Sequence, residues 1–484
     1  MSSDSPYDSP QAAPPAGPWL SATARRRLKW FGWITTLALL GLFLLVAALR
    51  STGPTAKQQA ALAVLREPLA PLQGRDGATA AWLFDHVVPE KDWPAAFAEL
   101  RRYHFEYSAL ADHGKKQQAE RLPHPLRSYP ERSVPANDEG ICEKGGEGCL
   151  EFVREDLRRA DGLLVKHGDA LQASLALARY DGFRFRETQV PMARLPTFGG
   201  DRGLVLTHFA AQFARGERTG SIDALCSDIH ARRRHAEEAD TLVSALVFSS
   251  YVRNDLLLLG DMLAEMPAGQ ALSPACMAAL VPVRPAEPSL CEAMRGEFDF
   301  SVRKSEKMAS WAAGQGVATG WAAGSIDTEN YVSRLAPAYA HFCSATVQQA
   351  QGDDLPIVAS IPESTLCGPL DYIGDPVGCM LSELTPMDQF AKYADRRTDF
   401  VATIALMRTV VWLRETSDDA SAWPALLPKR PASLGLKREP KISADGARIS
   451  IVLLDQSRDE EFSLPLRPAT AAITPSDVAA RSSH

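Results

Sequence analysis

Twenty consecutive apolar or small residues, Trp30 to Leu49, follow directly on a basic cluster made of Arg25, Arg26, Arg27 and Lys29. At 1.5 Å rise per residue, a helix of that length spans about 30 Å, the thickness of a bilayer's hydrocarbon core. The run carries no ionisable side chain, so it can enter lipid without leaving a charge unsolvated. Trp30 and Trp33 stand at its entry end, where amphipathic rings favour the membrane interface. This pattern predicts a transmembrane helix over 30–49, and the basic cluster predicts a cytoplasmic N-terminus. A cleavable signal peptide has a shorter apolar region, about 7–15 residues. Arg25 to Lys29 match a twin-arginine export signal loosely, but the Leu-rich run behind them is too hydrophobic for that type.

The rest of the 484-residue chain is long enough to bury a sizeable core. Residues 1–29 carry four basic and two acidic groups, so the net charge of −7 becomes −9 over the remainder. A mildly acidic body lacks the basic footprint of a nucleic-acid-binding surface, and no nucleic-acid partner is expected. The eight cysteines all lie beyond the anchor, an even number on the side expected to be exported. That distribution fits disulfides formed in an oxidising compartment. Cys142 and Cys149 bracket a Gly-rich loop, Cys367 and Cys379 bracket a Gly/Pro-rich loop, and Cys276 and Cys291 flank a Pro-rich connection. The expected pairs are therefore Cys142–Cys149, Cys367–Cys379 and Cys276–Cys291, which leaves Cys226 and Cys343 to meet across the fold.

Periodicity divides the chain. Residues 1–18 contain five prolines and no apolar period, so 1–29 reads as a disordered cytoplasmic tail. Residues 50–430 read as a helical extracytoplasmic domain. Apolar side chains recur at helical spacing over 78–88, from Asp92 to Tyr107, 150–182, 203–213, 221–266 with a break near Ala239 or Asn254, 290–313 and 395–416. Pro and Gly between Arg121 and Cys149 predict a long loop. Beyond Pro431 the period changes to two. Asp445-Gly446 is a hairpin-turn signal between Lys441–Ser443 and Arg448–Leu454, with Glu461–Leu464 as a third strand. The expected architecture is mainly α: one N-terminal transmembrane helix, a helical bundle or irregular array, a small antiparallel β-element over 431–468 and a flexible tail over 469–484.

Motifs that carry chemistry are weak. Ser301-Val302-Arg303-Lys304 has the S-x-x-K spacing of penicillin-recognising enzymes, but the chain has no K-T-G, and a solvated helix face explains the string better. Cys226 and His230 share a helix face with His235 nearby, yet Arg232, Arg233 and Arg234 intervene and no further ligand pair is present, so no metal site is expected. Gly314, Gly316 and Gly320 lack the strand and G-K-[ST] ending of a phosphate loop. Trp311 and Trp321, in that glycine-rich run, are candidate contact residues, with core packing as the simpler reading. The adjacent pairs Asp353-Asp354 and Asp418-Asp419 suit solvated loops. No cofactor fingerprint is present. Ala/Arg/Leu/Pro-rich usage suits a bacterial chain, and the expected role is partner binding or scaffolding in the bacterial envelope, from the inner membrane into the periplasm. The alternative is an envelope hydrolase or transferase with a dispersed active site.

Overall fold

Ten principal helices are α1 (Ala22–Arg50), α2 (Ala56–Leu65), α3 (Trp93–Asp112), α4 (Arg202–Ala214), α5 (Arg218–Glu237), α6 (Leu242–Glu265), α7 (Pro274–Ala279), α8 (Cys291–Gly314), α9 (Thr328–His341) and α10 (Met387–Thr416). Further helices and 3-10 turns fill the connections. Strands β1 (Lys441–Ile442), β2 (Arg448–Val452) and β3 (Glu461–Pro465) close the described chain as an antiparallel meander. The computed structural model describes residues 22–50, 53–112, 115–134, 141–142, 146–186, 195–198, 200–284, 287–314, 328–357, 367–368, 371–372, 375–383, 385, 387–457 and 459–468.

Helix α1 begins at Ala22 and takes in the basic cluster, so the expected tail is helical from that residue onward. Trp30, Phe31, Trp33, Ile34, Leu37 and Leu40 on it are all exposed. Among the described residues one helix, α6, is long and apolar enough to cross a membrane, and 67% of its most apolar stretch is buried. It is the central core helix, packed against α5 and α10.

Local chemistry sets the helix starts. Thr55 and Gln58 form a capping box on α2, each side chain accepting from the other's backbone N–H. Asp201 accepts from Leu204 N at 2.9 Å to open α4. The expected break within 221–266 falls near Ala239, at Glu238–Asp240, and Thr241 caps α6. Expected helices over 78–88 and 150–182 are shorter in fact: the first stops at Trp82, and the second is three helices, Cys149–Glu155, Leu157–Lys166 and Gly168–Leu177. The stretch 121–134 is tied down rather than loose. Val87 N donates to Pro130 O at 2.8 Å, and Arg132 N to Asp85 O at 2.8 Å.

Two hydrophobic clusters form the body. The larger joins α4, α5, α6, α10 and the sheet. The smaller joins α2, α8 and α9 around Leu65, Phe298, Leu335, Tyr339 and Phe342. The β-element expected as a separate unit is part of the larger core. In register, Ile449 faces Leu464 and Ile451 faces Phe462, and all four are buried. Gly446 adopts φ 70°, the left-handed turn conformation that the Asp-Gly signal requires.

The described cysteines are paired as Cys142–Cys149, Cys226–Cys276, Cys291–Cys343 and Cys367–Cys379, with Cα separations of 5.1, 4.8, 4.5 and 5.7 Å. The expected Cys276–Cys291 and Cys226–Cys343 pairs are thus exchanged. Helix α7 packs on α5, which sets Cys276 against Cys226, and the Pro-rich connection leads away to α8.

Candidate functional site

A cleft of about 690 Å³ opens where the chain leaving α2 passes α3, the extended segment 183–186, the α5–α6 turn and α8. Alternation in Phe183-Arg184-Phe185-Arg186 builds one wall: both phenylalanines are buried, and both arginines line the cleft. Arg66 and Arg101 stand at the rim, Asp240 at the floor, and Asp299 and Arg303 one turn apart on α8. Leu69, Leu72 and Phe97 add apolar lining.

The floor is pre-organised by backbone donors. Phe185 N donates to Asp240 Oδ1 at 2.8 Å, and Arg186 N to Oδ2 at 3.0 Å. Burial nevertheless pushes the Asp240 carboxyl up to about 6, with those two N–H groups opposing it. Asp76 plays a similar role, accepting from Ala78 N at 2.8 Å and Arg184 N at 3.1 Å. Most acids around the cleft are therefore already engaged. Arg186 pairs with Asp299, Arg184 with Glu238 at 2.6 Å, and Arg295 with Glu67 at 2.5 Å.

Three arginines remain. Among the described residues, Arg66, Arg101 and Arg303 make no ion pair, although all three line the cleft. Arg303 donates from Nη2 to Arg186 O at 2.9 Å, and its buried Nε has no hydrogen-bond partner. Burial lowers the Arg303 pKa, while Asp299 on the same helix raises it. The described lining holds no histidine, serine or cysteine. This arrangement can receive an anion.

Two smaller cavities, about 370 and 230 Å³, lie beside α6. Several of their charged groups are held by the fold, although Asp223 Oδ1 at the smaller one is buried without a hydrogen-bond partner. In the first, Arg396 pairs with Asp455, and Asp399 accepts from Leu454 N and Asp455 N. In the second, Arg414 donates to Met266 O and Leu466 O.

The residues singled out from the sequence stand apart from the cleft or are used structurally. Ser301 Oγ bonds Tyr339 Oη at 2.9 Å, and Lys304 is exposed, so the S-x-x-K string makes no activated serine. Cys226 is oxidised. His235 is buried and bonds Tyr180 O at 2.8 Å; burial, with Arg232 adding to it, pushes its pKa down to about 3, so it is a neutral core donor. Among the described residues, no group of three or more His, Cys, Asp or Glu could hold a metal ion. Asp354 pairs with Arg438 at 2.7 Å, and Asp419 accepts from Ser421 N at 2.9 Å. Trp311 belongs to α8, but its side chain, like the whole of Trp321, lies outside the described residues.

Sequence reasoning missed the cleft arginines because they come from four separate stretches. The single local signal was the Phe/Arg alternation at 183–186. The chain matches no known family model, no curated relative and no solved structure.

Proposed function

We propose that this chain is a single-pass protein of the bacterial inner membrane, anchored through 30–49 with its N-terminus in the cytoplasm, and that its helical body recognises an envelope partner in the periplasm. The observation that carries the reading is the pairing of an outward-facing apolar helix with a disulfide-tied body. Trp30 to Leu40 on α1 are exposed, and four disulfides suit an oxidising environment. The cleft adds recognition chemistry. A second reading, an envelope hydrolase or transferase, rests on Asp240, whose raised pKa is that of a proton donor near pH 6. Both Asp240 oxygens already accept backbone N–H bonds, which favours a positioning role and hence recognition.

Protease digestion of spheroplasts tests orientation: cleavage of the body from the outer face supports the proposal, and full protection until lysis overturns it. Affinity purification from solubilised membranes tests recognition. A stoichiometric partner supports it, and repeated recovery of the chain alone counts against it.

A further inference from the structure

Resting on the recognition reading but narrower than it, the cleft points to a ligand class. A buried or half-buried arginine without a carboxylate is costly, because desolvating a charge must be offset by a nearby opposite charge. Arg303 is half-buried, with a buried Nε lacking a hydrogen-bond partner; Asp299, Glu306 and Glu297 on its own helix favour its charge, but Asp299 is taken by Arg186. Arg66 and Arg101 bring two further guanidinium groups to the same space without an ion pair among the described residues, Arg101 with its guanidinium 6.0 Å from the centre of the Phe97 ring. Guanidinium forks match phosphate and carboxylate oxygens in plane, and several forks on one cleft favour a group carrying more than one negative charge. The volume, about 690 Å³, exceeds what a bare inorganic anion fills, and Leu69, Leu72 and Phe97 supply an apolar surface for an attached organic part.

We infer that the cleft is a binding site for an organic phosphate, with its phosphate oxygens on Arg66, Arg101 and Arg303 and its organic part against Leu69, Leu72 and Phe97. Two sources share this chemistry, a free phosphoester and a lipid headgroup at the membrane into which α1 inserts.

The test uses the full-length protein in non-ionic micelles, titrated calorimetrically with inorganic pyrophosphate at 0.15 M salt. The arms compare wild type, Arg101→Met, Arg303→Met and the control Arg158→Met on the exposed face of the 157–166 helix. Arg101 is exposed at the rim, so its variant reports even where Arg303→Met does not fold. The expected result is saturable binding, weakened about tenfold or more in each cleft variant and unchanged in the control. If pyrophosphate is inert but micelles doped with phosphatidylglycerol show the same dependence on Arg101 and Arg303, the headgroup is the source and the inference stands. Binding that is equal in all four proteins, absent with both ligands, or as tight for citrate as for pyrophosphate overturns it. None of these outcomes bears on the orientation of the anchor or on co-purification of a partner.

Discussion

The carbonyl oxygen of Asp240 lies so close over Gly296 that a Cβ added there would sit 1.9 Å from it. Helix α8 therefore touches the α5–α6 turn backbone to backbone, and the contact fixes Asp240 next to Asp299 and Arg303 in the cleft. A side chain at 296 must push the turn away and take the cleft floor with it.

Gly296→Ala should therefore destabilise the protein by about 3 kcal/mol, through overpacking against backbone that cannot rotate aside. Gly162→Ala is the matched control. It also lies within a helix, but an added Cβ would meet nothing within 4 Å. There the better helix propensity of alanine should stabilise by about 0.5–1 kcal/mol. Chemical denaturation midpoints check both, and equal effects at the two sites would refute the close approach.

Asp261 on α6 supplies a pH dependence. Burial pushes its carboxyl from 3.8 up to about 7, Arg448 and the Gly148 N–H oppose this, and Glu147 and Glu265 add to it. Its Oδ2 is buried without a hydrogen-bond partner. Because the folded form holds this proton more tightly than the unfolded chain, the contribution to stability falls as pH rises from about 4 to 7 and is level above. Asp261→Asn removes that loss, so its advantage over wild type should grow across the same window by on the order of 2–4 kcal/mol. Thermal unfolding between pH 4 and 8 reads the difference; a gap independent of pH would contradict it.

The long disulfides should matter more than the short ones. Cys226–Cys276 and Cys291–Cys343 have sequence separations of 50 and 52, against 7 for Cys142–Cys149. In the chain-entropy account, opening either long loop costs about 4 kcal/mol, and opening the 142–149 loop about 2–3 kcal/mol. Paired serine variants compared in denaturant give the order. Non-reducing peptide maps should recover 226 with 276 and 291 with 343; a 276–291 peptide would overturn the pairing.

How much was legible differs by element. The apolar period of three to four announced α4, α6, α8 and α10, because burying one helix face leaves a mark at fixed intervals. Asp445-Gly446 announced the hairpin, since few residue pairs adopt that turn without strain. Helix ends were less legible. Asp92 ends a 3-10 turn, Glu90–Asp92, rather than capping α3 directly, and α3 runs on to Asp112. The break between α5 and α6 was legible as one of two positions, near Ala239 or Asn254, and it falls at the first.

The sequence by itself determined what is local: the charge-free run from Trp30 to Leu49, the helical class of the body, the strand meander at its end, and the proximity of Cys142 to Cys149 and of Cys367 to Cys379. These follow from dihedral preference, side-chain period and short loop closure, each of which acts over a few residues. Tertiary structure alone decided that α7 would bring Cys276 to Cys226, and that Arg66, Arg101, Arg186 and Arg303 would line one cleft with Asp240 at its floor. Those neighbours are chosen by the burial of apolar faces summed over the whole chain, and no single stretch carries that sum.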